Sequence, residues 1–116
     1  MSEQKPSKDV FIVFTNSEDG SDDEFNRWYD ENHIHEILGV DGFLSAQRYE
    51  LSPYQRPGVE PPEWRYLAIY EIEGDVPGIH AAVEAAGSRF AEPTGLKDLK
   101  VWVFTPRGDR VEAKRA

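Results

Sequence analysis

The sequence predicts an α+β fold of order βαββαβ, a ferredoxin-like arrangement in which a four-stranded antiparallel sheet carries two helices on one face. Three observations predict it. Strand-length runs rich in β-branched and aromatic residues lie at 10–15, 43–51, 64–73 and 96–106. Helix-like periodicity fills the gap after the first run and the gap before the last. The chain has 116 residues, enough for one core and too few for two.

The elements follow in order. "VFIVFT" is a continuous apolar run ended by the turn-forming "NSEDGS". Ser21 and Glu24 then read as a capping box, with Asp22 and Asp23 adding negative charge to the first helical turn. Phe25, Trp28 and Tyr29 form a buried stripe that Asn32, His33, Glu36 and Ile37 continue at helical spacing. The stripe turns polar while Ile34 and Leu38 point elsewhere, so a bend or second short helix is expected near 33–35. "FLSAQRYEL" and "WRYLAIYEIE" read as strands two and three, joined by "SPYQRPGVEPPE", which is long for a hairpin and suits a lid or a dimer arm.

Asp75 as N-cap and Pro77 in the first turn open the second helix, with Ile79, Val83 and Phe90 on its apolar side. In the last strand Val101 and Val103 oppose Trp102 and Phe104. In the third, Leu67 and Ile69 oppose Tyr66, Ala68 and Tyr70, which makes both sheet faces too apolar to be left in water. The simplest cover is a second copy of the same sheet, a two-fold homodimer. Residues 1–9 are expected to be a disordered or extended lead, 10–106 a single α+β barrel domain, and 107–116 a charged tail.

Composition excludes several classes. Thirteen Lys and Arg against 22 Asp and Glu leave a net charge of −9, which repels phosphate backbones and argues against nucleic acid. Without cysteine there is neither a disulfide framework nor a thiolate site. No segment approaches the ~20 apolar residues of a membrane span, and "MSEQKPSKDV" lacks a signal-peptide core, so a cytoplasmic protein without a membrane partner is expected. The glycines form no phosphate-cradling loop, and no G-x-S-x-G elbow is present.

The stretch "EFNRWYDENHIHEILGVDGFLSAQRYEL" resembles the signature of the EthD-like and related members of the dimeric α/β-barrel superfamily, roughly E-F-N-x-W-Y-x-x-x-H-[LI]-P-[ED]-x-L-x-[VI]-P-G-F. Phe25, Asn26, Trp28, Tyr29, His33, Ile34, Glu36, Leu38, Val40, Gly42 and Phe43 fill its positions. His35 and Asp41 stand where that pattern carries proline. The resemblance implies a dimeric barrel with a ligand cavity between sheet and helices. It implies no single reaction, because similar folds host cofactor-independent cyclases, dehydratases, lactone isomerases, quinone-forming monooxygenases and haem-associated enzymes.

His33 matches the family histidine and is the candidate general acid/base. Tyr29 or Asn32 would hold a polarised oxygen, while Trp28 and Tyr29 also serve the core. Phe43, Gln47 and Tyr49 from strand two, with Tyr66 and Tyr70 from strand three, are expected to wall an aromatic pocket. Arg48 is an alternative anchor for a carboxylate or enolate oxygen, or the partner of an acidic helix. His35 lies one step round from the stripe; on a helix it does not face the same point as His33, so no metal pair is expected.

These residues suggest a cofactor-independent enzyme of dehydration, cyclisation, isomerisation or C–C cleavage on an aromatic or polyketide-like carbonyl compound. Its partners would be a second copy of the chain and that hydrophobic small molecule. Two alternatives stand beside it: a cofactorless monooxygenase of phenols, in which Trp28 or Trp64 contributes more, and a non-catalytic dimeric binding protein. A haem-binding version would need His33, His35 or His80 as ligand.

Overall fold

Alternation decides how the sheet faces divide. The computed structural model describes residues 8–115, and in it strand β1 (Asp9–Ser17) buries Phe11, Val13, Thr15 and Ser17 at every second position. Strand β3 (Tyr66–Ile72) does the same with Tyr66, Ala68, Tyr70 and Ile72. The two pair antiparallel in the register Phe11 to Tyr70 and Val13 to Ala68, so their buried sets share one face. With β2 (Phe43–Glu50) and β4 (Leu96–Phe104) the sheet has the order β2-β3-β1-β4, antiparallel throughout. This is the ferredoxin-like α+β fold.

The helices lie on the face that carries Phe11 and Tyr70. Helix α1 (Asp22–Trp28) contributes Phe25 and Trp28 to the core, a π-helical turn (Tyr29–His33) contributes Tyr29, and α2 (Ile34–Leu38) contributes Ile37. Helix α3 (Val76–Gly87) adds Ile79 and Ala86; the Asp75 side chain caps it by accepting the Gly78 N–H at 2.9 Å. Ser21 makes no side-chain cap, so the capping box does not form. Asp22 instead accepts from Ser17 and from Arg65. Phe90 lies beyond the end of α3 and not on its body.

Two local irregularities move side chains from their expected faces. The expected bend near 33–35 is a wider turn just before it: the Ile34 N–H reaches back to the Tyr29 carbonyl, a five-residue spacing that inserts one residue relative to an α-helix. The stripe therefore passes from Tyr29 to His33 and Ile37, and Asn32 is exposed. In β2 the register shifts between Phe43 and Ser45. After that bulge Ala46 pairs with Tyr70 and Arg48 with Ala68, on the helix side. Gln47 pairs with Ile69 and Tyr49 with Leu67, on the opposite face.

Among the described residues that opposite face is apolar and open. Tyr49, Trp102 and Phe104 are each about half exposed there, beside Ile12, Phe14, Leu67 and Ile69. Residues 51–63 are exposed throughout, and their base lies on this side, where Trp64 contacts Phe14 at 6.2 Å between ring centres. Asn16 holds that base, giving its amide to the Glu63 carbonyl and accepting the Arg65 N–H. Of the expected lead, 1–7 lie outside the described residues, and Asp9 opens β1 one residue earlier than predicted.

Candidate active site

The π-helical turn sets Tyr29 and His33 side by side over the sheet. Beneath them is a cavity of about 240 Å³ between β1, β4 and the helices, walled by Phe11, Val13, Thr15, Trp28, Tyr29, His33, Ile37, Val83, Phe90, Pro93, Leu96, Leu99 and Val101 among others. Its lining is almost wholly apolar; the polar side chains among its lining residues are Thr15, Tyr29, His33 and the Trp28 indole, whose Nε1 is buried without a hydrogen-bond partner among the described residues. Surface grooves of about 370 Å³ and 580 Å³ lie on the open sheet face and between α2 and α3, away from this interior.

His33 is enclosed by aromatic rings. Its ring stacks on Trp28 at 4.7 Å and 21°, and meets the edges of Tyr29 at 5.0 Å and Phe90 at 5.8 Å. Burial holds its pKa below the ordinary value, opposed by Glu36. The two side chains face each other at 3.5 Å from Nδ1 to Oε1, an ion-pair distance, and both atoms are buried without a hydrogen-bond partner among the described residues. Glu36 Oε2 accepts the Ala91 N–H at 2.8 Å. With Nδ1 turned to Glu36, Nε2 is the nitrogen left for a ligand.

Behind Tyr29 is a buried polar cluster. The Tyr29 and Tyr70 hydroxyls are 3.1 Å apart, and burial raises the pKa of both. Arg48 lies over the Tyr29 ring, its guanidinium carbon 4.4 Å from the ring centre, with Phe25 and Tyr66 at 5.5 and 5.4 Å. Its Nη1 donates to Asp30 at 2.9 Å, while Nε and Nη2 are buried without a hydrogen-bond partner among the described residues. Asn26 donates to the Tyr66 hydroxyl at 3.2 Å.

No family model matches the chain. No curated protein matches it either. Among solved structures, a monooxygenase from the gene ActVA-Orf6 of Streptomyces coelicolor, in complex with the ligand nanaomycin D, is similar over 92% of this chain and 94% of its own. The identity is 19% and the TM-score 0.48. The resemblance to EthD-like proteins thus remains one of motif and element order.

Of the residues singled out from sequence, Trp28, Tyr29 and His33 meet at the cavity. Phe43, Tyr66, Tyr70 and Arg48 are on the same side of the sheet but do not line it; Phe43 packs on Phe11 at 5.1 Å and on Tyr70 at 5.5 Å. Asn32 is excluded by the wider turn, and Gln47 and Tyr49 by the bulge. His35 is exposed and borders the groove between α2 and α3. Glu36, placed from sequence on the stripe but given no role in the site, has a side chain only 22% exposed that faces His33. Its i, i+3 spacing from His33 was the available signal. Among the described residues no group of three or more His, Asp or Glu side chains is placed to hold a metal ion.

Proposed function

We propose that this chain is an enzyme of acid–base chemistry on a small hydrophobic carbonyl compound, aromatic or polyketide-like, with His33 as the base. One observation carries the reading: an imidazole kept neutral by burial, with a carboxylate behind it, forms part of the wall of an apolar cavity. With Nδ1–H toward Glu36, the Nε2 lone pair takes a proton from a carbon next to the substrate carbonyl. The C–H electron pair moves into an enolate, and the imidazolium formed faces Glu36. Returning that proton to a different carbon of a conjugated enolate completes an isomerisation; delivering it to a leaving hydroxyl, which departs as water, completes a dehydration.

Tyr29 supports the developing oxyanion. In an O–H···O pair the accepting hydroxyl keeps its own proton for another partner, so Tyr29 accepting from Tyr70 can still donate to the substrate oxygen. The step draws only on side chains of this chain. A second reading shares its beginning and is favoured by the apolar wall beside the Trp28–His33 stack. There His33 deprotonates a phenol, dioxygen adds to the ring, and loss of water leaves a quinone.

The test is a mass-spectrometric turnover screen of aromatic β-keto and phenolic compounds, comparing wild type with His33→Ala. A general base predicts at least a ~100-fold loss in the variant. In wild type kcat/KM should rise through a pKa below 6.5 and then level off. Undiminished conversion by His33→Ala sinks the assignment, oxygen consumption selects the second reading, and binding without turnover makes the chain a binding protein.

A further inference from the structure

The segment 87–95 between α3 and β4 closes one side of the cavity. It begins at Gly87, where an added Cβ would meet nothing within 4 Å, and ends at Gly95, which has φ +69° and packs against Ser21. Gly95 is held by the Glu18 N–H at 2.7 Å. Between these ends Phe90 is half-buried, and Ala91, Glu92 and Pro93 are exposed. The hydrogen bond tying this stretch to α2 runs from Ala91 N–H to Glu36 Oε2, at 2.8 Å.

A second space of about 180 Å³ lies against the outside of the same stretch. It shares Trp28, His33, Gly87, Phe90 and Pro93 with the cavity and adds Ala91 and Glu92. Phe90, Pro93 and His33 thus border both spaces. The Phe90 ring meets the His33 ring edge-on where the two adjoin.

We propose that Glu36 is a positioning residue that orients His33 with one carboxylate oxygen and latches segment 87–95 with the other, making substrate entry and alignment of the base one event. The proposal rests on reading His33 as that base. When Phe90 swings aside to admit a ligand, Ala91 pulls away from Oε2 and the carboxylate is free to turn from Nδ1. When the stretch closes, both contacts re-form and Nε2 is held again at the cavity wall.

Nuclear magnetic resonance on the whole chain tests this without a substrate. Glu36→Ala removes both contacts, whereas Glu36→Gln keeps an acceptor for Ala91 and loses the charge facing Nδ1. Ala91 amide exchange should be about tenfold faster or more in Glu36→Ala, a charge-assisted bond being lost, and close to wild type in Glu36→Gln. The His33 pKa should fall in both, because Glu36 raises it. Unchanged Ala91 exchange in Glu36→Ala overturns the latch, and unchanged His33 titration overturns the positioning role.

Amides of β3 in the same spectra report global unfolding. If Glu36→Ala does not fold, Glu36→Asp replaces it: one methylene shorter, it cannot span both partners, and retention of both contacts overturns the proposal. A failed turnover screen leaves these readouts intact, and their failure leaves the base assignment of His33 standing.

Discussion

At the scale of single residues, His33 links protonation to folding. Its folded pKa lies below the unfolded value of about 6.5, so between the two the unfolded chain binds more protons and stability rises with pH. That stability is lost as pH falls from above 6.5 through the lowered value. Thermal denaturation should therefore show a steeper fall in Tm from pH 7 to 5 for wild type than for His33→Gln. Equal slopes would mean that the imidazole is not disfavoured as a cation. Asp22, lowered by its bonds to Ser17 and Arg65, acts in the same sense, its contribution being lost as pH falls below 3.8, outside this window. His33 was legible because it fills a motif position. The bond from Glu36 to Ala91 was not, since it joins residues 55 positions apart.

Elements were legible where their period is regular. The strands β1 and β3 alternate in burial along their length, and their two faces follow from the sequence directly; β4 pairs in step with β1 from Val10 to Asn16 and shifts register at Ser17. The bulge in β2 breaks a period of two, and every side chain after it changes face, which is why Arg48 stacks on Tyr29 while Gln47 and Tyr49 turn away. The wider helical turn does the same to Asn32. Gly42, where α2 hands over to β2, has φ +102°, and an added Cβ would lie 2.8 Å from Ile79 Cγ1 on α3. Gly42→Ala should destabilise the fold on the order of 2–5 kcal/mol by denaturant titration, from backbone strain and overlap together. Gly87→Ala, with open space at its Cβ, should be neutral or gain up to about 1 kcal/mol. A reversed ranking would mean that the α2–β2 turn does not constrain α3.

For the whole molecule, the element order was readable because each apolar run has the length and period of its type. What covers the open sheet face is a proposal: a second copy packed on Ile12, Phe14, Tyr49, Trp102 and Phe104, with loop 51–63 as an arm beside it. Light scattering should give twice the chain mass of 13.2 kDa. The double variant Trp102→Glu and Phe104→Glu should give the single mass with its circular dichroism retained. A wild-type monomer would leave this face to another partner.

The π-helical turn makes the site depend on chain length as well as on composition. Deleting one residue within Tyr29–His33 would let the segment relax into continuous α-helix with four-residue hydrogen-bond spacing. Because the wider turn absorbs one extra residue, the segment after the deletion would keep its face relative to α1, and the change would fall inside the turn, on the side-by-side placing of Tyr29 and His33. A crystal structure of the chain lacking Glu31 would display that change. Helix regularity and the site are in competition here, and a single inserted or excised codon is enough to exchange one for the other.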